Sequence, residues 1–263
     1  IAEIGADVTA WRVGQPVMAL TNGGGYAEFV AVPAGQVLPV PQGWTLAEAA
    51  ALPETWFTVT QTLVMRAGLE PGMSVLVHGA AGGIGGAAIQ IATILGARAI
   101  AVDSSPAEAA YATRLGAVAT IDYTTEDILA RAHALTDGQG VDRVLDIIGG
   151  AMAQTNIEAS ARLGHIVQVS TLDGSNAEIS LRSLMAKQLT LSGSTLRPQS
   201  AATKAAIAAH IRAHLLPALS VPGCVKPLVT AFAFDDAAGA HAAMEARTHS
   251  GKLVLVTPFG ARL

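Results

Sequence analysis

The chain has 263 residues, 51% of them hydrophobic, which is enough for one or two domains with a sizeable core. Its formal net charge is -4 and it contains no basic run, so a nucleic-acid partner is not expected. The single cysteine, Cys224, excludes an intrachain disulfide framework and any multi-thiolate zinc site built from this chain alone, and it reads as a small buried or half-buried apolar residue. No signal peptide or membrane span is expected, and the location expected is cytoplasmic.

Ile1-Ala2-Glu3-Ile4-Gly5 reads as the interior of a strand rather than a natural start. Residues 15–20 form an apolar strand, and Tyr26-Ala27-Glu28-Phe29-Val30-Ala31-Val32 alternates as a second strand with one or both faces buried. Thr45-Leu46-Ala47-Glu48 has capping-box spacing and opens a helix. Pro53 breaks that helix or starts the next, over about 55–67.

From Glu70-Pro71-Gly72 onward, apolar strands alternate with longer helices. Strands are expected at 74–78, 97–102, 118–121, 141–148, 165–169 and 189–192, with helices at 84–95, from 105, at 125–135 and at 151–161. Such a repeat builds a parallel sheet covered on both faces. A long helix over 201–216, a strand in 225–234, a helix over 235–246 and a last strand over 252–257, buried on both sides, complete the chain. The ends differ in style from the middle, which fits one domain built from both termini with another inserted.

The motif that carries the functional reading is Val75-Leu76-Val77-His78-Gly79-Ala80-Ala81-Gly82-Gly83-Ile84-Gly85-Gly86. A strand running through glycines into a helix seats a diphosphate on the free N–H groups of the helix N-terminus. Gly82 would permit close backbone approach and Gly85 would let the helix pack against the strand, but Ala80 stands where the usual G-x-G-x-x-G has its first glycine. Asp103 follows at about the spacing of an acid that binds the ribose diol of NAD and repels a 2′-phosphate, and it also fits a turn or capping role. Ser104 and Ser105 could bond a ribose or phosphate, or Ser105 could cap the helix that begins at Pro106. Arg114 and Lys187 are candidate cationic partners. Asp146, in Asp146-Ile147-Ile148-Gly149-Gly150, reads as structural rather than as a proton carrier, with the two glycines letting a nicotinamide lie close to the backbone. His78 reads as a packing residue; His133, His210, His214 and His241 read as solvated helical residues.

With these motifs the sequence resembles the quinone oxidoreductase branch of the zinc-free medium-chain dehydrogenase/reductase superfamily. Gly24-Gly25-Tyr26-Ala27-Glu28-Phe29, Ala49-Ala50-Ala51-Leu52-Pro53-Glu54-Thr55, Gly138-Gln139-Gly140-Val141-Asp142 and His249-Ser250-Gly251-Lys252-Leu253-Val254-Leu255 carry the resemblance beside the glycine loop. It implies a Rossmann doubly wound parallel sheet at 54–216, inserted into a GroES-like, mainly β catalytic domain formed by 1–53 and 217–263 and lacking its N-terminal segment. It implies hydride transfer from NADPH to a quinone or activated conjugated carbonyl, with NADH favoured locally by Asp103. By matching positions, it implies cofactor contacts at Thr58, Gly82, Gly83, Ile84, Ser105, Tyr123, Ile147 and Ser170, to which Asp103 and Ser104 are added from their place in the chain. A homodimer joined along the sheet edge near Leu189 and Ser194 is also implied. No metal is expected, because Glu54 stands where zinc-dependent relatives place a cysteine ligand. The resemblance does not name catalytic residues here, since the family takes an Asn and a Tyr from the absent segment. Other readings are an enoyl reductase or zinc-free alcohol dehydrogenase of the same superfamily, or a non-catalytic NAD(P)H-binding or RNA-binding protein.

Overall fold

A computed structural model describes residues 1–246 and 249–258. The chain gathers into two compact units, Ile1–Phe57 with Leu196–Leu263, and Thr58–Thr195.

In the first unit, β1 (Val17–Ala19) pairs antiparallel with β2 (Val37–Pro39). The flanking residues differ from expectation. Residues 1–5 form no strand, and neither do residues 26–32, where Tyr26 is 63% and Phe29 67% exposed. An alternating pattern makes a strand only when a neighbour takes its backbone hydrogen bonds, and among the described residues none lies beside this one. Helix α1 (Leu46–Ala50) begins with the full capping box: Thr45 Oγ1 accepts the Glu48 N–H at 3.2 Å while Glu48 Oε2 accepts the Thr45 N–H at 2.8 Å. Pro53 starts α2 (Pro53–Val59), where its missing N–H is harmless, and the helix runs on as a π-helical segment to Arg66.

The second unit holds β3 (Ser74–His78), α3 (Gly83–Leu95), β4 (Arg98–Asp103), α4 (Pro106–Leu115), β5 (Ala119–Asp122), α5 (Ile128–Ala134), β6 (Val141–Asp146), α6 (Met152–Ala159), β7 (Ser160–Gln168), α7 (Leu181–Lys187) and β8 (Thr190–Gly193). All six strands are parallel, in the order β5-β4-β3-β6-β7-β8. This is the Rossmann arrangement, whose order reverses between β3 and β6 and opens a crevice at the carboxyl ends of the strands. β3 is buried along its whole length, as a central strand covered on both faces must be. Under one face, Leu76, Ile100, Ile121, Val144, Ile157 and Ile166 belong to one continuous core. Helix α7 was not expected: its Leu181, Leu184 and Met185 have helical spacing and Leu184 packs against the core, but seven residues are too short a stretch for that period to stand out.

The chain then returns to the first unit through α8 (Ala201–His210), a π-helical segment Ile211–Leu215, and α9 (Leu216–Leu219). Gly35 admits α8 closely: a Cβ there would lie 2.9 Å from the Ala205 Cβ. β9 (Val229–Ala233), α10 (Ala237–Glu245) and β10 (Lys252–Val256) follow, with β10 parallel to β9. β10 is half-buried throughout rather than buried on both sides, because its sheet has two strands.

Candidate functional site

The turn after β3 is shaped by its glycines. Gly79 has φ +60°, and a Cβ there would lie 2.7 Å from Ile147 Cδ1, so the strand can end only by passing close under the loop that follows β6. Gly79 and Ala80 donate their N–H groups to the Val102 carbonyl, which ties the turn to β4. At Gly85 a Cβ would lie 2.3 Å from the Gly79 oxygen and 2.5 Å from Ala80 Cα. The close approach that Gly85 permits is therefore helix to turn, not helix to strand. Gly82 caps α3 without a side chain, leaving the N–H groups of Gly83, Ile84 and Gly85 without carbonyl partners one turn back. Gly82, Gly83 and Ile84 are half-buried, so this helix start is partly open to solvent, as an anion-binding helix N-terminus must be.

Asp103, at the end of β4, is 6% exposed. Its Oδ1 accepts the Ala81 N–H at 3.1 Å, while Oδ2 is buried with no hydrogen-bond partner. Burial pushes this carboxyl up to about 7; the Ala81 amide pulls it down, the Glu108 charge adds to the rise, and the Ala80 amide opposes it. Glu108 Oε2 accepts from the Ser104 N–H, the Ser104 hydroxyl and the Ser105 hydroxyl at 3.1, 2.9 and 3.0 Å. Ser105 Oγ accepts the Glu108 N–H and caps α4. Both serine hydroxyls thus serve the helix start, a task that the capping spacing indicated for Ser105 but not for Ser104. Glu108 itself was legible only as a capping residue; its second role, as a carboxylate beside Asp103, needed the fold.

Tyr123 follows β5 with its N–H on the Asp103 carbonyl at 3.1 Å and its side chain 56% exposed. Ile147 is half-buried after β6, against Gly79. Ser170 is exposed after β7, and its carbonyl accepts Gln168 Nε2 at 2.6 Å. All of these lie at the carboxyl ends of the parallel strands. Thr58 is buried on α2, where its carbonyl accepts the Thr62 hydroxyl at 2.8 Å.

Some expected roles change. A Cβ on Gly149 would meet the Gly174 carbonyl at 2.6 Å and one on Gly150 the Asp173 carbonyl at 2.9 Å, so these glycines seat the loop after β7. Lys187 is no free cation: its Nζ bonds the carbonyls of Ile157, Glu158 and Ser160 at the end of α6. Arg114 lies over the Tyr111 ring at 5.1 Å. His133 bridges the Gly138 and Glu158 carbonyls instead of facing water alone, and His210 is half-buried beside His214, ring centroids 4.6 Å apart. His78 is a packed, hydrogen-bonded residue, with Nε2 2.7 Å from Asn156 Oδ1. Asn156 escaped the sequence reading because one amide in a helical stretch carries no pattern.

A helix start with no side-chain cap, a glycine whose Cβ the turn would reject, and a buried carboxylate oxygen without a partner, on a six-stranded parallel sheet, define a dinucleotide-binding Rossmann protein. The profile of a family described as zinc-binding dehydrogenases matches residues 83–210. The quinone oxidoreductase-like protein 2 homolog of Nematostella vectensis is 32% identical over 195 residues, 73% of this chain and 53% of that protein. The chain thus spans about half the length of that relative. The solved quinone oxidoreductase of Thermus thermophilus, also determined in complex with NADPH, superposes with a TM-score of 0.78 at 34% identity, covering 90% of this chain and 75% of that one. The CurK enoyl reductase superposes with a TM-score of 0.82 at 26% identity, covering 98% and 76%. The chain belongs to the medium-chain dehydrogenase/reductase superfamily, on its quinone oxidoreductase branch. Among the described residues no group of three or more His, Cys, Asp or Glu side chains could hold a metal ion. Among the described residues, too, no helix is long and apolar enough to cross a membrane.

Proposed function

We propose that this protein is a nicotinamide-dependent reductase acting on quinones or activated conjugated carbonyls, with the coenzyme held at the carboxyl ends of the Thr58–Thr195 unit. The observation that carries the reading is the turn at residues 79–85, with the unpartnered Oδ2 of Asp103 at its edge. The amides of Gly83, Ile84 and Gly85 bind the diphosphate, Asp103 takes the adenosine ribose diol, and Ile147 supports the chain between the coenzyme halves. Bound reduced nicotinamide supplies the hydride. The protein's part is to align acceptor and coenzyme and to exclude water. The terminal segments, as a GroES-like catalytic domain, would hold the acceptor, and the location that fits is cytoplasmic.

Two coenzymes have separate support. NADPH is favoured by likeness to the Thermus thermophilus protein. NADH is favoured by local chemistry: Asp103 and Glu108 place two carboxylates where a 2′-phosphate would lie, and the Ser104 and Ser105 hydroxyls already serve Glu108. We take the local chemistry to decide at pH above about 7, where Asp103 is ionised. An enoyl reductase is the second reading, supported by the CurK likeness.

The test is oxidation of NADH and NADPH by the full-length protein with 1,4-benzoquinone, 9,10-phenanthrenequinone and an enone. The expected result is quinone turnover with kcat/KM for NADH about tenfold above that for NADPH at alkaline pH. Turnover with the enone alone would move the protein to the enoyl reductases; coenzyme binding without any turnover would leave a binding protein.

A further inference from the structure

Behind the glycine turn runs a buried polar chain that the coenzyme contacts do not use. His78, Asn156 and Asp146 are 1%, 0% and 0% exposed. Asn156 Nδ2 donates to Asp146 Oδ2 at 3.0 Å, and Asn156 Oδ1 lies 2.7 Å from His78 Nε2. The other Asp146 oxygen accepts the N–H groups of Ile148 and Gly149 at 2.6 and 3.0 Å. The polarity of this chain is set by chemistry. An ionised carboxylate only accepts, so the Asn156 atom facing it is nitrogen; Oδ1 then faces His78, whose Nε2 must carry the proton. Burial holds the imidazole below its ordinary range, with Asn156 and Asp146 acting in the opposite sense, so His78 is neutral.

The two ends of this chain adjoin the proposed coenzyme site. His78 is the last residue of β3, directly before the positive-φ Gly79. Asp146 is the last residue of β6, and its two backbone bonds hold the segment that carries Ile147 against Gly79. That segment contains consecutive left-handed glycines, Gly149 at φ +74° and Gly150 at φ +54°. It is joined to the loop after β7 through Leu172 N–H to Ile147 O, Asp173 N–H to Ile148 O and Gly150 N–H to Gly174 O. Two adjacent glycines have wide conformational freedom, so a fixed shape there requires outside bonds, and Asp146 supplies two of them.

We propose that Asp146 is a positioning residue for hydride transfer: through Ile148 and Gly149 it fixes the segment under the nicotinamide half, and through Asn156 and His78 it ties that segment to the diphosphate turn. This rests on the nicotinamide-coenzyme reading. Asp146 touches neither coenzyme nor acceptor. Its effect falls on the reacting half of the coenzyme and spares the adenosine half, which β4 and Asp103 hold independently.

Asp146→Asn tests this because it reverses the chain. An amide nitrogen in place of Oδ2 would face the Asn156 nitrogen, so Asn156 must turn over and present its own nitrogen to His78 Nε2, which must then accept. The expected results are a change of the His78 tautomer from Nε2–H to Nδ1–H in its 15N NMR shifts, and amide exchange at Ile148 and Gly149 faster by about tenfold with β3 and β4 amides unchanged. NADH affinity and kcat should each fall about tenfold, while affinity for AMP, a probe of the adenosine half, stays within about twofold. A folded Asp146→Asn protein with wild-type NADH affinity and kcat would overturn the positioning role and leave the coenzyme reading intact. A wild-type protein that binds neither NADH nor NADPH would overturn both. Should Asp146→Asn fail to fold, Asn156→Ala carries the test, since it keeps both Asp146 bonds to the loop while removing the amide that joins Asp146 Oδ2 to His78. An NADH affinity lowered by about threefold with AMP unaffected supports the coupling, and an unchanged affinity overturns it.

Discussion

At Gly85 a single hydrogen atom decides whether the turn closes, since a methyl group would sit 2.3 Å from the Gly79 carbonyl oxygen. Gly85→Ala should therefore displace the turn, cost about 2–3 kcal/mol of stability and weaken NADH binding by at least tenfold, as denaturant melting and fluorescence titration would show. Asp103 makes a different prediction. Its carboxyl ionises near 3.8 in the unfolded chain and about 7 in the folded protein. Across that window the folded state holds more protons, so stability falls as pH rises, and the cost is complete above about 7. Asp103→Asn removes this cost while an amide oxygen can still accept the Ala81 N–H. It should stabilise the protein by about 1–2 kcal/mol near pH 8 and by little near pH 4, measured by urea denaturation at both. Equal gains at the two pH values would show that the carboxylate is not strained by burial. The residue types at this site were readable from spacing: Gly82, Gly85 and Asp103 stand where the strand–turn–helix pattern requires them. The unpaired Oδ2 and the rise in pKa were not, because they depend on which groups surround the carboxyl and not on its own identity.

Helix starts are local, and the sequence announces them well. Thr45 and Glu48 form the capping box their spacing predicts, and Ser105 caps α4 with Pro106 behind it. Helix ends are less local. Helix α6 stops where Lys187, from a distant part of the chain, bonds the Ile157, Glu158 and Ser160 carbonyls. Lys187→Met keeps the stem but removes all of these bonds, and should destabilise the protein by about 2 kcal/mol with little change in NADH affinity. A drop in affinity with unchanged stability would place Lys187 at the coenzyme instead. The strand expected over residues 26–32 failed for the same kind of reason. Its alternation is real, but a strand exists only as one side of a ladder, and a local pattern does not say whether the other side is there.

For the molecule as a whole, β8 is the open edge of the six-stranded sheet, with Leu191 43% exposed and Met185 of the adjoining α7 72% exposed. An apolar open edge of this kind is suited to pairing with a second copy, as the family resemblance implies. Leu191→Lys should shift the sedimentation of a dimer to that of a monomer while far-ultraviolet dichroism is retained; a monomer in the unsubstituted protein would remove this assembly. The parallel sheet of the Thr58–Thr195 unit followed from the βα rhythm, while the order of its strands did not. Periodicity and glycine spacing are properties of neighbouring residues, so the parallel sheet, the glycine turn and the helix caps are legible in the sequence alone. The buried line from His78 through Asn156 to Asp146, the bond from the Ala81 amide to Asp103 and the engagement of Lys187 join residues far apart in the chain. Such contacts depend on how the strands and helices come together, and only the folded chain decides them.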